Sequence, residues 1–235
     1  MKRAAVFDVD GTLVDTNHLH VVTWWEALRQ AGHDVPMHAV HRAVGLGAHD
    51  LIEHLLDGDG DGSGGGGGDG GGRDRSGDDA LSAAHKTLYG TWFERLPAFR
   101  DAGRLLRTLA GQGWTIVLAT SAGGAELSAL RRAIDADDAI TATASADDVA
   151  AGKPAPEPVR RALELAGATA GNAVFVGDTV WDMRAGTRAG VTCVGLLCGG
   201  IPRADLTEAG AAAIFDDPAD LLAHLDRSPF GRTNG

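Results

Sequence analysis

The apolar run Ala4-Ala5-Val6-Phe7 breaks abruptly into Asp8-Val9-Asp10-Gly11-Thr12. Residues two apart on an extended chain point to the same side, so the carboxylates of Asp8 and Asp10 face one small volume at the end of a buried strand. Two like charges so close are tolerable when a cation neutralises one, or when a raised pKa keeps the other protonated, and each outcome serves catalysis. A bare Asp-x-Asp-Gly also reads as a strand followed by an ordinary turn. Segments elsewhere in the chain decide between the two.

From Leu105 onward helical patterns alternate with short apolar runs, the signature of βαβ units and a parallel sheet. The spacing predicts strands at 4–7, 115–119, 139–143, 173–176 and 191–197, with an edge strand at 213–215. Helices are expected at 124–134, at 156–166 with proline near its first turn, at 181–189 closed by Gly190, and at 218–225. Residues 1–14 and 98–228 thus read as an α/β core with a doubly wound parallel sheet, and 229–235 as a flexible C-terminal tail.

Between Asp15 and about Leu96 helical stretches follow one another without strands, which reads as an inserted all-helical unit over 15–97. Its helices are expected at 18–31, 37–44, 48–56 and 79–95. Trp24, Trp25 and Leu28 are spaced for one helical face and read as core of that unit. Residues 58–72 hold eleven glycines, three aspartates and one serine. Such a composition cannot bury enough apolar surface to offset chain entropy, and a disordered loop over 58–78 is expected. The tract lacks the strict apolar repeat of a calcium-binding array. With no strand before it and no Gly-Lys-Ser/Thr after it, it is not a phosphate cradle.

The net charge of -11 and pI near 5.1 argue against nucleic acid as a partner, since a phosphate backbone calls for clustered Lys and Arg. No segment approaches the roughly 20 apolar residues of a membrane span, and no secretory pattern precedes Asp8. A cytoplasmic protein is expected, with Cys193 and Cys198 as buried thiols. The sequence carries no signal for oligomeric state.

Three further segments share the placement of Asp8 at the carboxyl end of an expected strand or in a loop beside one. Thr120 and Ser121 end one strand, Gly177-Asp178-Thr179 with Asp182 ends another, and Gly152-Lys153-Pro154 fixes a lysine between them. Ligands of open α/β sheets bind outside the carboxyl ends of the strands. An ionised carboxylate held by a cation is a competent nucleophile, and Asp178 helps to supply a hard oxygen site of the kind that suits Mg²⁺ and phosphate.

In these four segments the chain resembles the haloacid-dehalogenase-like hydrolase superfamily, and the insertion after the first motif resembles the helical cap of its phosphoglycolate phosphatase and β-phosphoglucomutase relatives. The Gly-rich tract departs from that pattern. The resemblance implies that Asp8 attacks phosphorus to form an aspartyl-phosphate, while Asp10 protonates the leaving oxygen and then activates water. It implies Mg²⁺ bound by Asp8, the backbone carbonyl of Asp10 and Asp178, with Asp182 binding directly or orienting a bound water. Lys153 neutralises Asp8 and a phosphoryl oxygen. Ser121 is preferred over Thr120 for the hydroxyl contact to phosphate, with Thr120 carried beside it. His20 lies where cap relatives carry a histidine that reaches the acid or substrate.

The expected activity is hydrolysis of a small phosphorylated metabolite, of phosphoglycolate or sugar phosphate type. A sugar-phosphate mutase needs a cationic cap group, and around Val44 to His49 only Arg42 and His49 offer one. A dehalogenase dispenses with the second acid, because halide leaves without a proton. A non-catalytic binding module has no use for the intact set of carboxylates, lysine and hydroxyls.

Overall fold

The computed structural model describes residues 2–57, 76–145, 148–149 and 151–231. Six strands, β1 (Arg3–Phe7), β2 (Trp114–Ala119), β3 (Ile140–Ala144), β4 (Ala173–Gly177), β5 (Thr192–Leu196) and β6 (Ala211–Phe215), form one sheet in the order β3-β2-β1-β4-β5-β6. All five pairings are parallel, with Phe7 opposite Leu118 on one side and Val176 on the other. Among the described residues four helices separate β1 from the rest of the sheet's chain path: α1 (Asn17–Gln30), α2 (Met37–Ala43), α3 (Ala48–Leu56) and α4 (Asp78–Gly90). The others are α5 (Ala102–Gly111), α6 (Gly124–Ile134), α7 (Glu157–Ala166), α8 (Val180–Arg188), α9 (Arg203–Glu208) and α10 (Pro218–Ala223).

Strand alternation sorts the core into two layers. Ala5, Phe7, Ile116, Leu118, Val174 and Val176 pack with Leu105, Leu109 and Leu130 of α5 and α6. Ala4, Val6, Val117 and Phe175 face the opposite way, onto Val159, Leu163, Met183 and Leu206 of α7, α8 and α9. Burial on both faces explains why the strands read as continuous apolar runs. Helices α1 to α4 carry a cluster of their own, in which Trp24, Leu28, Val40, Leu51, Ile52 and Leu81 are buried.

The order in which strands are added reverses about the β1/β4 pair, because β2 and β3 lie to one side and β5 and β6 to the other. That is the switch point at which open α/β sheets leave a crevice beyond the strand ends. The two connections to the helical insertion meet above it. The Asp15 N–H donates to Pro97 O at 2.9 Å, the Phe99 N–H donates to Leu13 O at 2.9 Å, and Val14 and Ala98 form an antiparallel bridge.

Two expectations change, and a third falls mostly outside the described residues. The helix expected over 79–95 stops at Gly90, where a Gly-Thr pair of low helix propensity hands over to a separate short turn at Phe93–Arg95. Of the tract expected to be a disordered loop, residues 58–75 lie outside the described residues. The tail does not begin at 229. Ser228 and Phe230 are buried, and the Phe230 ring stacks on Phe7 at 6.4 Å and meets Trp114 edge-on at 5.0 Å. An aromatic ring with two ring partners gains more from burial than its segment loses in chain entropy.

No helix among the described residues is long and apolar enough to cross a membrane.

Candidate active site

β1 and β4 lie side by side and each ends in an acid, so Asp8 and Asp178 emerge together at the switch point. The Asp8 N–H still donates to Val176 O at 2.9 Å, which extends the β1/β4 ladder by one residue and fixes the height of the Asp8 carboxyl. The chain then turns sharply at Gly11, which has φ +75, and any Cβ there would collide with Asn17 and Asp178. The turn sends the Thr12 hydroxyl back between the two acids, 2.7 Å from Asp178 Oδ1 and 3.1 Å from Asp8 Oδ2. One hydroxyl proton cannot serve two ionised acceptors. Burial pushes Asp8 up to about 7 against the opposing charge of Lys153, with Asp182 and Asp10 adding to the rise. Asp178 is driven well above the usual carboxylate range by burial, then by Asp8 and Asp182.

The loop before α7 brings Lys153 to this pair. Its Nζ contacts Asp8 Oδ1 and lies 2.8 Å from Asp182 Oδ1. Burial works to lower the Lys153 pKa, but the two carboxylates outweigh it and hold the ammonium charged. The other oxygen of Asp182 accepts from the Thr179 N–H at 3.0 Å and hydroxyl at 2.6 Å, and the Asp182 N–H donates to Thr179 Oγ1 at 3.2 Å. This capping box starts α8 and aims the carboxyl at Lys153. Asp8, Asp178 and Asp182 each offer an oxygen within 4.8 Å of the others. A buried set of hard oxygen donors, in which two acids are pushed upward by burial and then by one another's charge, fits a divalent cation.

Asp10 sits on the other side of the turn and faces the insertion. Its Oδ1 accepts from the Thr16 hydroxyl at 2.7 Å and lies 3.2 Å from His20 Nε2. His20 Nδ1 is 3.2 Å from His85 Nε2, and the His85 ring stacks on Trp24 at 4.1 Å. A doubly protonated His20, donating to Asp10 and to a neutral His85, satisfies both contacts. Burial would lower His20, but the Asp10 hydrogen bond and charge outweigh it and raise the ring's pKa. His85 is pushed down to about 2 by burial and by the His20 charge. Burial likewise works to raise Asp10, and the His20 hydrogen bond and charge, with the Thr16 hydroxyl, hold it low instead.

Asp8 and Asp10 form the floor of a cleft between the sheet and the insertion, into which Ser121 and Glu126 reach from the core. Trp24 and Leu51 wall it on the insertion side, and Lys86 stands at its edge.

A family model for haloacid dehalogenase-like hydrolases matches residues 2–190. The chain belongs to that family. A phosphoglycolate phosphatase of Rhodospirillum rubrum is 31% identical over 231 residues, which cover 94% of this chain and 90% of that protein. The crystal structure of a hydrolase from Pseudomonas syringae is similar with a TM-score of 0.86 at 31% identity, covering 96% of this chain and 99% of that one. At the level of fold alone, a structure described as a putative β-phosphoglucomutase from Bacteroides vulgatus matches with a TM-score of 0.82 at 20% identity, over 96% of this chain and 88% of that one.

Within this haloacid dehalogenase-like frame, the expected residues divide into two groups. Asp8, Lys153, Asp178 and Asp182 share one buried cluster, and Asp10 and His20 share the cleft above it. Ser121 lines the cleft, whereas Thr120 is buried at the end of β2 with its Oγ1 accepting the Ala122 N–H at 3.0 Å. Sequence reasoning did not single out Thr12 or Thr16 as carboxylate partners. It also missed Asn17, whose Nδ2 donates to Asp178 Oδ2 at 2.7 Å and to Gly199 O at 3.1 Å, together with His85, Lys86 and Glu126. The polar run from Asp15 to His20 hinted at Thr16 and Asn17. The last three sit on helices whose orientation only packing decides.

Proposed function

We propose that the protein is a Mg²⁺-dependent phosphatase of small phosphate monoesters that works through an aspartyl-phosphate on Asp8. The observation that carries this reading is the division of labour between two acids two residues apart: Asp8 is paired with buried Lys153, and Asp10 is paired with His20 in the cleft. Residues 1–14 and 98–231 are taken as the catalytic core and 15–97 as a cap that closes over it.

An Asp8 oxygen attacks phosphorus as the bond from phosphorus to the leaving oxygen breaks. The leaving oxygen takes the proton held between Asp10 and His20, and it departs as an alcohol. Asp10 then accepts a proton from water, whose oxygen attacks phosphorus, and the bond from Asp8 to phosphorus breaks to release phosphate. Lys153 offsets charge on Asp8 and on a phosphoryl oxygen, and the Ser121 or Thr120 hydroxyl donates to another. Asp8, the Asp10 carbonyl and Asp178 would hold Mg²⁺. When bound, the ion supplies the positive charge that keeps Asp8 ionised and lowers repulsion at the phosphoryl group. Asp182, with one oxygen on Lys153 and the other on Thr179, is assigned to hold Lys153 in place beside the metal donors, and it would bind the ion directly or orient a bound water.

Release of phosphate from p-nitrophenyl phosphate tests the reading. Turnover should require Mg²⁺, disappear with EDTA, and fall by about 10³-fold or more in Asp8→Asn. Turnover by that variant within tenfold of the parent would refute a covalent role for Asp8. Lys86 at the edge of the cleft is the one observation that favours a mutase, which must grip a second phosphate. Accumulation of hexose 6-phosphate from the 1-phosphate and its bisphosphate, in place of free phosphate, would establish that alternative.

A further inference from the structure

We propose that Glu126 selects the alcohol half of the ester: the cleft takes phosphate monoesters of neutral polyols or sugars and discriminates against esters of hydroxy acids such as 2-phosphoglycolate. This rests on the phosphatase reading and narrows it. Glu126 lies in the first turn of α6, lines the cleft with Asp8 and Asp10, and brings a carboxylate oxygen within 4.8 Å of the facing atoms of Asp10 and His20. Among the described residues its carboxylate has no hydrogen-bond or ion-pair partner. It therefore offers acceptor oxygens beside the point where Asp10 meets the leaving oxygen.

A leaving group arriving there meets Asp10 and Glu126 together. The positive charge of His20 is engaged by Asp10 at 3.2 Å, and Lys86 is exposed, where water and salt damp its field at the floor. A carboxylate one carbon from the ester oxygen would be forced against two acids in a partly dry site, where like charges repel strongly. A hydroxyl on the neighbouring carbon instead donates to Glu126, and such charge-assisted hydrogen bonds are the stronger kind. Trp24 and Leu51 offer the carbon chain an apolar wall.

The test compares kcat/KM of the Mg²⁺-loaded full chain for glycerol 3-phosphate and for 2-phosphoglycolate at pH 8, above the value of about 7 to which burial and then Asp10 raise the Glu126 carboxyl. The expected ratio is above ten in favour of the polyol ester. Glu126→Gln should lower that ratio at least tenfold, and Glu126→Asp, which keeps the charge, should preserve the preference. A parent ratio below ten, or a ratio that Glu126→Gln leaves unchanged, overturns the assignment. The parent ratio stands as a test even if a variant fails to fold. Hydrolysis of p-nitrophenyl phosphate by the parent keeps the two claims apart: if it proceeds while the ratio is low, selection by Glu126 fails and the phosphatase reading stands.

Discussion

Lys153 Nζ lies 2.8 Å from Asp182 Oδ1, and both side chains are almost completely buried. Asp182 is thus tied at one oxygen to the Asp8 partner and at the other to the start of α8. Asp182→Asn should leave Lys153 with Asp8 as its one remaining carboxylate contact among the described residues. The expected loss of stability is about 2–3 kcal/mol, below the usual cost of stripping a buried charge of every partner. Phosphatase turnover should fall with it as the ammonium loses its fixed position. Thr179→Ala removes the cap but keeps the ion pair, and should cost about 1 kcal/mol with little loss of turnover. Urea unfolding and p-nitrophenyl phosphate assays of both variants separate the two roles, and equal turnover losses would contradict the assignment.

His85 predicts a pH dependence of stability. Its folded pKa of about 2 lies far below the ordinary 6.5, so the unfolded chain binds one more proton than the folded chain at every pH between the two values. Stability from this group is complete above pH 6.5 and is lost as pH falls. The loss at pH 5.5 is about 1.4 kcal/mol relative to pH 7.5. His20 acts in the opposite sense, because its raised pKa contributes stability below 6.5 that is lost as pH rises through its folded value. His85→Phe keeps a ring against Trp24 and removes the titrating group. The difference in unfolding free energy between parent and variant should therefore shift by about 1.4 kcal/mol between pH 7.5 and 5.5. A difference that stays constant with pH would show that His85 is protonated in the fold.

The insertion is latched to the core through α2. Trp181 Nε1 donates to Arg42 O at 3.0 Å, His41 Nε2 meets Gly199 O at 2.9 Å, and Arg42 pairs with Asp205 at 2.9 Å. If the insertion opens to admit substrate about the paired connections near Val14 and Ala98, these contacts must break. Removing the Trp181 hydrogen bond by Trp181→Phe should favour the open form by about 1 kcal/mol, or about fivefold in population. Faster hydrogen exchange across α2, with KM raised more than kcat is lowered, is the expected signature. Unchanged exchange in α2 would show that the latch does not report on opening.

The sheet was legible because its strands are buried on both faces and read as unbroken apolar runs. Asp8, Asp178 and Thr120 were legible because each ends such a run, so knowing the strand gives the place of the side chain. Glu126, His85 and Lys86 were not. Each lies on a helix whose face toward the cleft depends on how insertion and core pack, and nothing local separates them from solvated residues. The six residues of α9 are too few to show a helical period. Asp182 read as a metal ligand, or as the orienter of a bound water, because spacing places it at the site. Only the geometry shows that its oxygens also meet Lys153 and Thr179.

Phe230 is the clearest case of a residue whose role its neighbourhood hides. It stands between Pro229 and Gly231 near the end of the chain, a context that reads as frayed, yet it is 3% exposed. Its ring covers Phe7, which directly precedes Asp8, and abuts Trp114 at the start of β2. The aromatic contact therefore braces β1, the strand that leads into Asp8 and Asp10. Phe230→Ala should cost about 3–4 kcal/mol, the usual range for emptying a buried aromatic site, and truncation after Ser228 should cost at least as much. Because a cavity beneath β1 also loosens the base of the catalytic strand, turnover should fall at temperatures where the variant is still folded. Thermal unfolding of Phe230→Ala within 2 °C of the parent would show that the ring is dispensable and that the chain's packed structure ends before it.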